Sequence, residues 1–146
     1  MLARRPLSEG EVALRLEIRG VPAPEAGAAI RRLRELGLLD DPGLCRHLAR
    51  SYQEGRRYGP SKIARALAAR RFPRELVEAA LREIASPGAV AEAAAHALRK
   101  RFREGIPPGR EGAARAYRFL AGRGFPPDAC RGALGKRPDG PPEGGD

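Results

Sequence analysis

The chain has 146 residues, with 28 lysines and arginines against 18 acids for a net charge of +10. That is the length of one ordinary domain, enough to bury roughly two-thirds of its unfolded surface. Seven aromatics, no tryptophan and a 42% hydrophobic fraction rich in alanine exclude a thick central core and point to thin seams between helices.

In chain order, Ser8-x-x-Glu11 has the form of a capping box opening a first helix. Pro22 and Pro24 mark a break before a second, from Glu25 to Leu36. Asp40 caps a third, with Asp41 and Pro42 in its first turn, where proline costs least. Gly55 to Pro60 ends it, and Ser61–Arg71 and Pro73–Ile84 form a helix pair. Ser86-Pro87 repeats the cap-then-proline start and opens a helix towards Arg103. A turn at Gly105–Gly109 precedes a last pair, Arg110–Arg123 and Pro126–Leu134, and the Pro/Gly-rich stretch 136–146 reads as a disordered tail. Leu76, Val77, Ala80, Leu81 and Ile84 make one stripe at helical spacing. Val12, Leu14, Leu16 and Ile18 instead alternate with Ala13, Arg15 and Glu17, a strand-like pattern.

An internal repeat decides that segment. Leu16, Leu67 and Leu120 align, followed by Gly20-Val21-Pro22, Arg71-Phe72-Pro73 and Gly124-Phe125-Pro126, and then by Ile30, Leu81 and Leu134. Val12 then aligns with Ile63, so the first segment is helical. Units of about fifty residues that cannot bury their own apolar stripes must stack on one another. The expected architecture is all-α: three tandem three-helix repeats in an elongated, curved array. The boundaries are 1–54, 55–105 and a partial third unit at 106–135. Phe72 and Phe125 are expected to pack at helix corners.

Charge is concentrated. Residues 46–137 carry 21 basic and eight acidic groups, residues 1–45 seven of each, and the tail holds Asp139, Glu143 and Asp146. Such a face suits a polyanion, nucleic acid or an acidic protein surface; a biased genome would also enrich arginine, here 25 against three lysines. Cys45 and Cys130 are too few for a disulfide framework and read as buried thiols of a reducing cytoplasm. No apolar run of signal-peptide or membrane-span type appears, so a soluble cytoplasmic protein is expected.

The run Gly37-Leu38-Leu39-Asp40-Asp41, then Ser51, Arg57-Tyr58-Gly59-Pro60, Ile63 and Leu67, with the threefold spacing, resembles the RecX regulators of the bacterial RecA recombinase. The likeness spans residues 7 to 135. Leu44-Cys45 stand where the family has an aromatic and alanine, Ala66 replaces a common glutamate, and Arg71 stands where a helix-ending glycine is usual. A positive φ at Arg71 would be strained, so that turn is expected to be built differently. The longer N-terminal lead of many members is missing from the sequence. The resemblance implies a non-enzymatic function, and a monomer is expected. It would bind the RecA–single-stranded DNA filament along its groove, with single- and double-stranded DNA as further partners. It would suppress ATP hydrolysis and strand exchange, restraining recombination and the SOS response. A general DNA-binding protein acting through the same basic face is the alternative.

The candidate interface residues are Arg56, Arg57, Lys62, Arg65, Arg70, Arg71, Arg99, Lys100, Arg101, Arg103, Arg115, Arg118 and Arg123. Lys62 and Arg65 share a helix face, as do Arg115 and Arg118, and Arg118 falls in the repeat column of Arg65. Arg99, Lys100, Arg101 and Arg103 crowd a helix end, where cations are also favoured without any partner. Tyr58 reads as a packing residue. No aromatic row alternates with the cations, so a single-strand stacking platform is not indicated. His47 and His96 lack metal-ligand neighbours, Cys45 and His47 point to different helix faces, and no Gly-rich phosphate loop occurs. Catalysis, metals and cofactors are therefore not expected.

Overall fold

The computed structural model describes residues 5–135, which form eight helices and no strand. The tail read as disordered, 136–146, lies outside the described residues. The helices are α1 (Glu9–Ile18), α2 (Ala23–Glu35), α3 (Asp41–Glu54), α4 (Pro60–Ala69), α5 (Arg74–Ile84), α6 (Pro87–Arg101), α7 (Gly109–Gly122) and α8 (Pro127–Gly135). The strand-like alternation of Val12 to Ile18 is overridden by its capping box. Ser8 Oγ accepts the Glu11 N–H, and the Glu11 carboxylate accepts the Ser8 N–H. Asp40 caps α3 through the Gly43 N–H, and Ser86 caps α6 through the Ala89 N–H.

The repeat seen in the sequence is a helix ending. At the end of α1 the Gly20 N–H donates to the Glu17 carbonyl and the Val21 N–H to the Leu16 carbonyl. The same pair of bonds closes α4 (Arg71 to Ala68, Phe72 to Leu67) and α7 (Gly124 to Ala121, Phe125 to Leu120). This is the Schellman motif, which requires a left-handed residue at its apex. Gly20 (φ 85°), Arg71 (φ 65°) and Gly124 (φ 95°) supply it. The expectation of a different turn at Arg71 is thus overturned: the motif's two hydrogen bonds and the burial of Phe72 hold a non-glycine residue in the left-handed region. The motif turns the chain so that the aligned apolar residues meet. Leu67 and Leu120 are wholly buried and Phe72 and Phe125 nearly so, at about 1.5–3 kcal/mol for each such side chain.

Two cores result. One joins Cys45 and Ala49 of α3, Ile63 and Leu67 of α4, Phe72, and Val77, Ala80 and Ile84 of α5. The other joins Val90, Ala94, Ala97 and Leu98 of α6 to Ala116, Leu120, Phe125, Ala129, Cys130 and Ala133 of α7 and α8. The unit boundaries at 54/55 and 105/106 are therefore out of phase by one helix. α3 and α6 pack with the pair that follows them, because their small residues (Cys45, Ala49; Ala94, Ala97) let them lie close over the Leu67 and Leu120 columns. The packed units are α1–α2, α3–α5 and α6–α8.

Successive units meet through the ends of their equivalent helices. At the first joint, Ser8 Oγ at the start of α1 donates to the Arg70 carbonyl at the end of α4 (2.6 Å). At the second, the Gly59 N–H donates to the Arg123 carbonyl (2.7 Å), and the N–H and Oγ of Ser61 both donate to the Gly124 carbonyl. Gly59 and Ser61 stand one repeat, 51 residues, after Ser8 and Gly10 in the sequence. At both joints the carbonyl end of one helix meets the amide end of another, satisfying groups that helices leave unpaired and opposing their partial charges. No side chain of α4 caps its own first turn; the end of α7 does so.

Candidate anion-binding cleft

The first joint consumes one of the predicted interface residues. Arg70 is buried, and its guanidinium grips Glu11 through Nε (3.0 Å) and Nη2 (2.9 Å) while Nη2 also donates to the Pro6 carbonyl. Burial raises the Glu11 carboxyl, but the bonds from Arg70 and the Ser8 N–H outweigh it and hold the group below its ordinary value. Arg70 is therefore a joint residue and leaves the candidate surface; its cation is neutralised inside the protein.

The second joint opens onto a cleft of about 400 Å³ lined by Gly55, Arg56, Arg57, Tyr58, Ala97, Lys100, Arg101, Phe119 and Arg123. Five of these are cations and none is a carboxylate. Lys62 leans over the Tyr58 ring from α4, its Nζ 4.7 Å from the centroid. Arg123 lies 5.8 Å from the same ring and 5.3 Å from that of Phe119, and Arg101 covers Phe119 (5.9 Å) and Phe102 (5.0 Å). Phe102 and Phe119 meet edge to face, and Tyr58 stacks on Tyr52. Such cation–ring contacts stabilise by about 0.5–1 kcal/mol each at exposed sites. They orient the cations without neutralising them, so the charge remains available to a ligand.

The α3–α4 turn adds strain. Arg57 sits at φ 58°, the left-handed region that non-glycine residues avoid. Its Nη1 donates to the Glu54 carbonyl, while its buried Nε has no hydrogen-bond partner among the described residues. The Tyr58 phenol is drawn below its ordinary value, first by a hydrogen bond with Arg56, then, against some desolvation, by the charges of Lys62, Arg56 and Arg123. A group that gains by becoming negative marks a positive local potential.

The structure thus gathers Arg56, Arg57, Lys62, Lys100, Arg101 and Arg123 at one place. Arg65, Arg99, Arg103, Arg115 and Arg118 are exposed outside the lining, with Arg99 4.0 Å from Glu92, and Arg71 is exposed at its turn. The residues that sequence reasoning missed are the rings. Tyr58 does pack, against Tyr52, but with Phe119 it also lines the cleft, and Phe102 backs Phe119 edge to face. The two lining rings come from different elements, the α3–α4 turn and α7, so no periodic row announced them. Phe119 lies four residues before Arg123 on one helix face, the single local signal available. Among the described residues no group of His, Cys, Asp and Glu is placed to hold a metal, and no helix is long and apolar enough to cross a membrane.

The described helices and their paired cores define a tandem three-helix-domain protein with a basic inter-domain cleft. Residues 40–81 match the second three-helix domain of RecX and residues 90–134 the third. The regulatory protein RecX of Thermus thermophilus is 44% identical over 128 residues, which is 86% of this chain and 79% of that protein. That of Pseudomonas savastanoi is 35% identical over 129 residues, 88% of this chain and 81% of its own length. The crystal structure of RecX from Lactobacillus salivarius superposes with a TM-score of 0.75 at 19% identity, covering 89% of this chain and 84% of that one, a likeness of fold. The chain belongs to the RecX family of non-enzymatic regulatory proteins.

Proposed function

We propose that this chain regulates the RecA recombinase in the cytoplasm by binding its filament on single-stranded DNA, lowering ATP hydrolysis and strand exchange. Family membership supports a RecA regulator, and the cleft between the second and third units carries the finer reading. Six cations converge there without a lining carboxylate, a chemistry for phosphates or acidic side chains rather than for turnover. Contacts to backbone phosphates position a protein without reading sequence, as a regulator of a filament on arbitrary DNA requires. Arg65, Arg99, Arg103, Arg115 and Arg118 are the proposed outer contacts; Arg71 and Arg70 are not needed by the reading.

The test is RecA ATPase on single-stranded DNA, with this protein titrated far below the recombinase concentration, with and without excess free DNA. Inhibition far below the recombinase concentration supports a filament regulator, even where free DNA relieves part of it. Inhibition that appears only near DNA saturation and is relieved by added DNA overturns it in favour of a general DNA-binding protein.

A further inference from the structure

The two joints of this protein are built on the same repeat positions but carry opposite charge. Glu11 of α1 falls in the column of Lys62 of α4, 51 residues on, and Arg70 falls in the column of Arg123, 53 residues on. At the first joint the pair is a carboxylate held by two bonds from a guanidinium. At the second the equivalent pair is a lysine and an arginine facing one tyrosine ring, 4.7 and 5.8 Å from its centroid. The surrounding backbone is shared between them. Each joint has a carbonyl at the end of the second helix accepting from the start of the first. Close approach is also common to both: a Cβ on Gly124 would fall 2.5 Å from the Lys62 amide nitrogen, and one on Gly10 2.6 Å from the Arg71 carbonyl oxygen. What the second joint lacks, among the described residues, is the oxyanion.

We infer that an external phosphate group, one of a single-stranded nucleic-acid backbone, occupies at the α4–α7 joint the place that the Glu11 carboxylate holds at the α1–α4 joint, gripped by Lys62 and Arg123 and fastening the second unit to the third. The source follows from the excess of charge. One carboxylate satisfies the first joint, whereas Arg56, Arg57, Lys100 and Arg101 line the cleft beside Lys62 and Arg123 with no carboxylate among them. A phosphodiester chain brings a charge at every nucleotide and neutralises such a row in succession. The ring floor of Tyr58 and Phe119 offers apolar surface to sugars and bases but none to a run of acidic side chains. Arg57, whose buried Nε has no hydrogen-bond partner among the described residues, also lines the cleft wall. Arg123 links ligand to shape. Its carbonyl holds the Gly59 N–H and its Nη1 the Arg56 carbonyl (3.1 Å), so an anion that fixes its guanidinium fixes the joint.

The inference rests on the proposed filament reading only in taking that single strand to be the filament's, and its test is separable. The full chain is titrated with hexathymidylate, pyrophosphate and hexaglutamate, following the amide resonances of Gly59, Ser61 and Gly124 and the melting temperature. Hexathymidylate and pyrophosphate should move those three resonances and raise the melting temperature, hexathymidylate more. Lys62→Glu recreates the Glu11–Arg70 arrangement. It should melt higher than the parent without ligand and bind hexathymidylate about tenfold or more weakly, the equivalent of about 1.4 kcal/mol. Arg82→Glu, the same charge change on the exposed face of α5, should do neither. Lys62→Met should weaken binding without raising the melting temperature. Undiminished binding by Lys62→Glu, loss equal to that of Arg82→Glu, or a joint unmoved by hexathymidylate would each overturn the site. Preference for hexaglutamate would overturn the phosphate and assign an acidic peptide. The ATPase assay reads the filament proposal alone: no inhibition by the parent chain sinks that reading, while the anion titration still decides the joint.

Discussion

Gly10 lies against Arg71 so closely that a Cβ at Gly10 would fall 2.6 Å from both the Cβ and the carbonyl oxygen of Arg71. At the other joint the residue in the Arg71 column is Gly124 and the one in the Gly10 column is Ser61. In this pair of columns each joint has one glycine where the two helix ends approach, and the glycine has changed sides. Gly10→Ala should therefore destabilise by about 1–3 kcal/mol, the usual cost of forcing atoms into a packed contact. Arg71→Gly should stabilise by about 0.5–1 kcal/mol, relieving a left-handed side chain at some cost in unfolded-state entropy. Denaturant midpoints measure both, and a Gly10→Ala protein as stable as the parent would refute the close joint.

Removing one partner of the Glu11–Arg70 pair should be costly, since both side chains are nearly buried, 14% and 10% exposed. Glu11→Ala leaves the guanidinium uncompensated and should destabilise by about 3 kcal/mol. The loss should concentrate in α1 and α2, seen as faster amide exchange there while α7 and α8 stay protected. Uniform acceleration through the chain would contradict a local joint.

Acid should loosen the same joint. Glu9 is held below its ordinary value by its hydrogen bonds from Arg34, and Glu11 is held low despite burial by Arg70 and the Ser8 N–H. Carboxyls depressed in the folded state give stability that is complete above the ordinary value of about 4.3 and lost as pH falls through the folded one. Asp41 runs the other way: burial raises it, against the bond from the Glu9 N–H, so protonation favours its folded form. With two carboxyls against one, α1 and α2 should lose protection as pH falls below about 4, before α6–α8 do. Glu11→Gln should flatten that dependence. Equal acid sensitivity in the two regions would count against it.

The cysteines should be inert in the folded protein. Burial pushes the Cys45 thiol up to about 11, with Asp41 adding to the shift, and burial raises that of Cys130. The thiolate is the reactive species, so Ellman's reagent at about pH 8 should label neither cysteine until denaturant is added. Prompt labelling of either would place it outside the cores described.

Among the cations, position should matter more than charge alone. Arg101→Glu, in the cleft, should weaken single-stranded DNA binding more than Arg118→Glu, exposed outside its lining. It should also reduce the slope of log affinity against log salt, by about one for each phosphate no longer neutralised. Equal weakening and equal slopes would mean a diffuse field rather than a site.

Much of this was legible in the sequence because it is local. Ser8, Asp40 and Ser86 cap their helices through bonds spanning three residues, and the repeated Leu-to-Pro signature is a short helix ending. The repeat also outranked the misleading alternation of Val12 to Ile18. Three points were not legible. The phase of the units was lost because α3 and α6 could pack backwards or forwards, and small residues in seams decide that only when the partner helix is present. Arg71 was expected to avoid a conformation that its tertiary surroundings impose. Arg70 read as one surface cation among many, since nothing in its neighbourhood reveals a glutamate 59 residues away.

The sequence by itself determined an all-helical tandem repeat, its turns, and a basic second half, because capping, periodicity and net charge are properties of short segments and sums. Only the tertiary structure decided which cations are paired with a carboxylate among the described residues and which meet only one another. Glu11 cancels Arg70, whereas Lys62 meets Arg123 over Tyr58. Coulomb energy depends on separation and burial, and those are set by which helix ends meet.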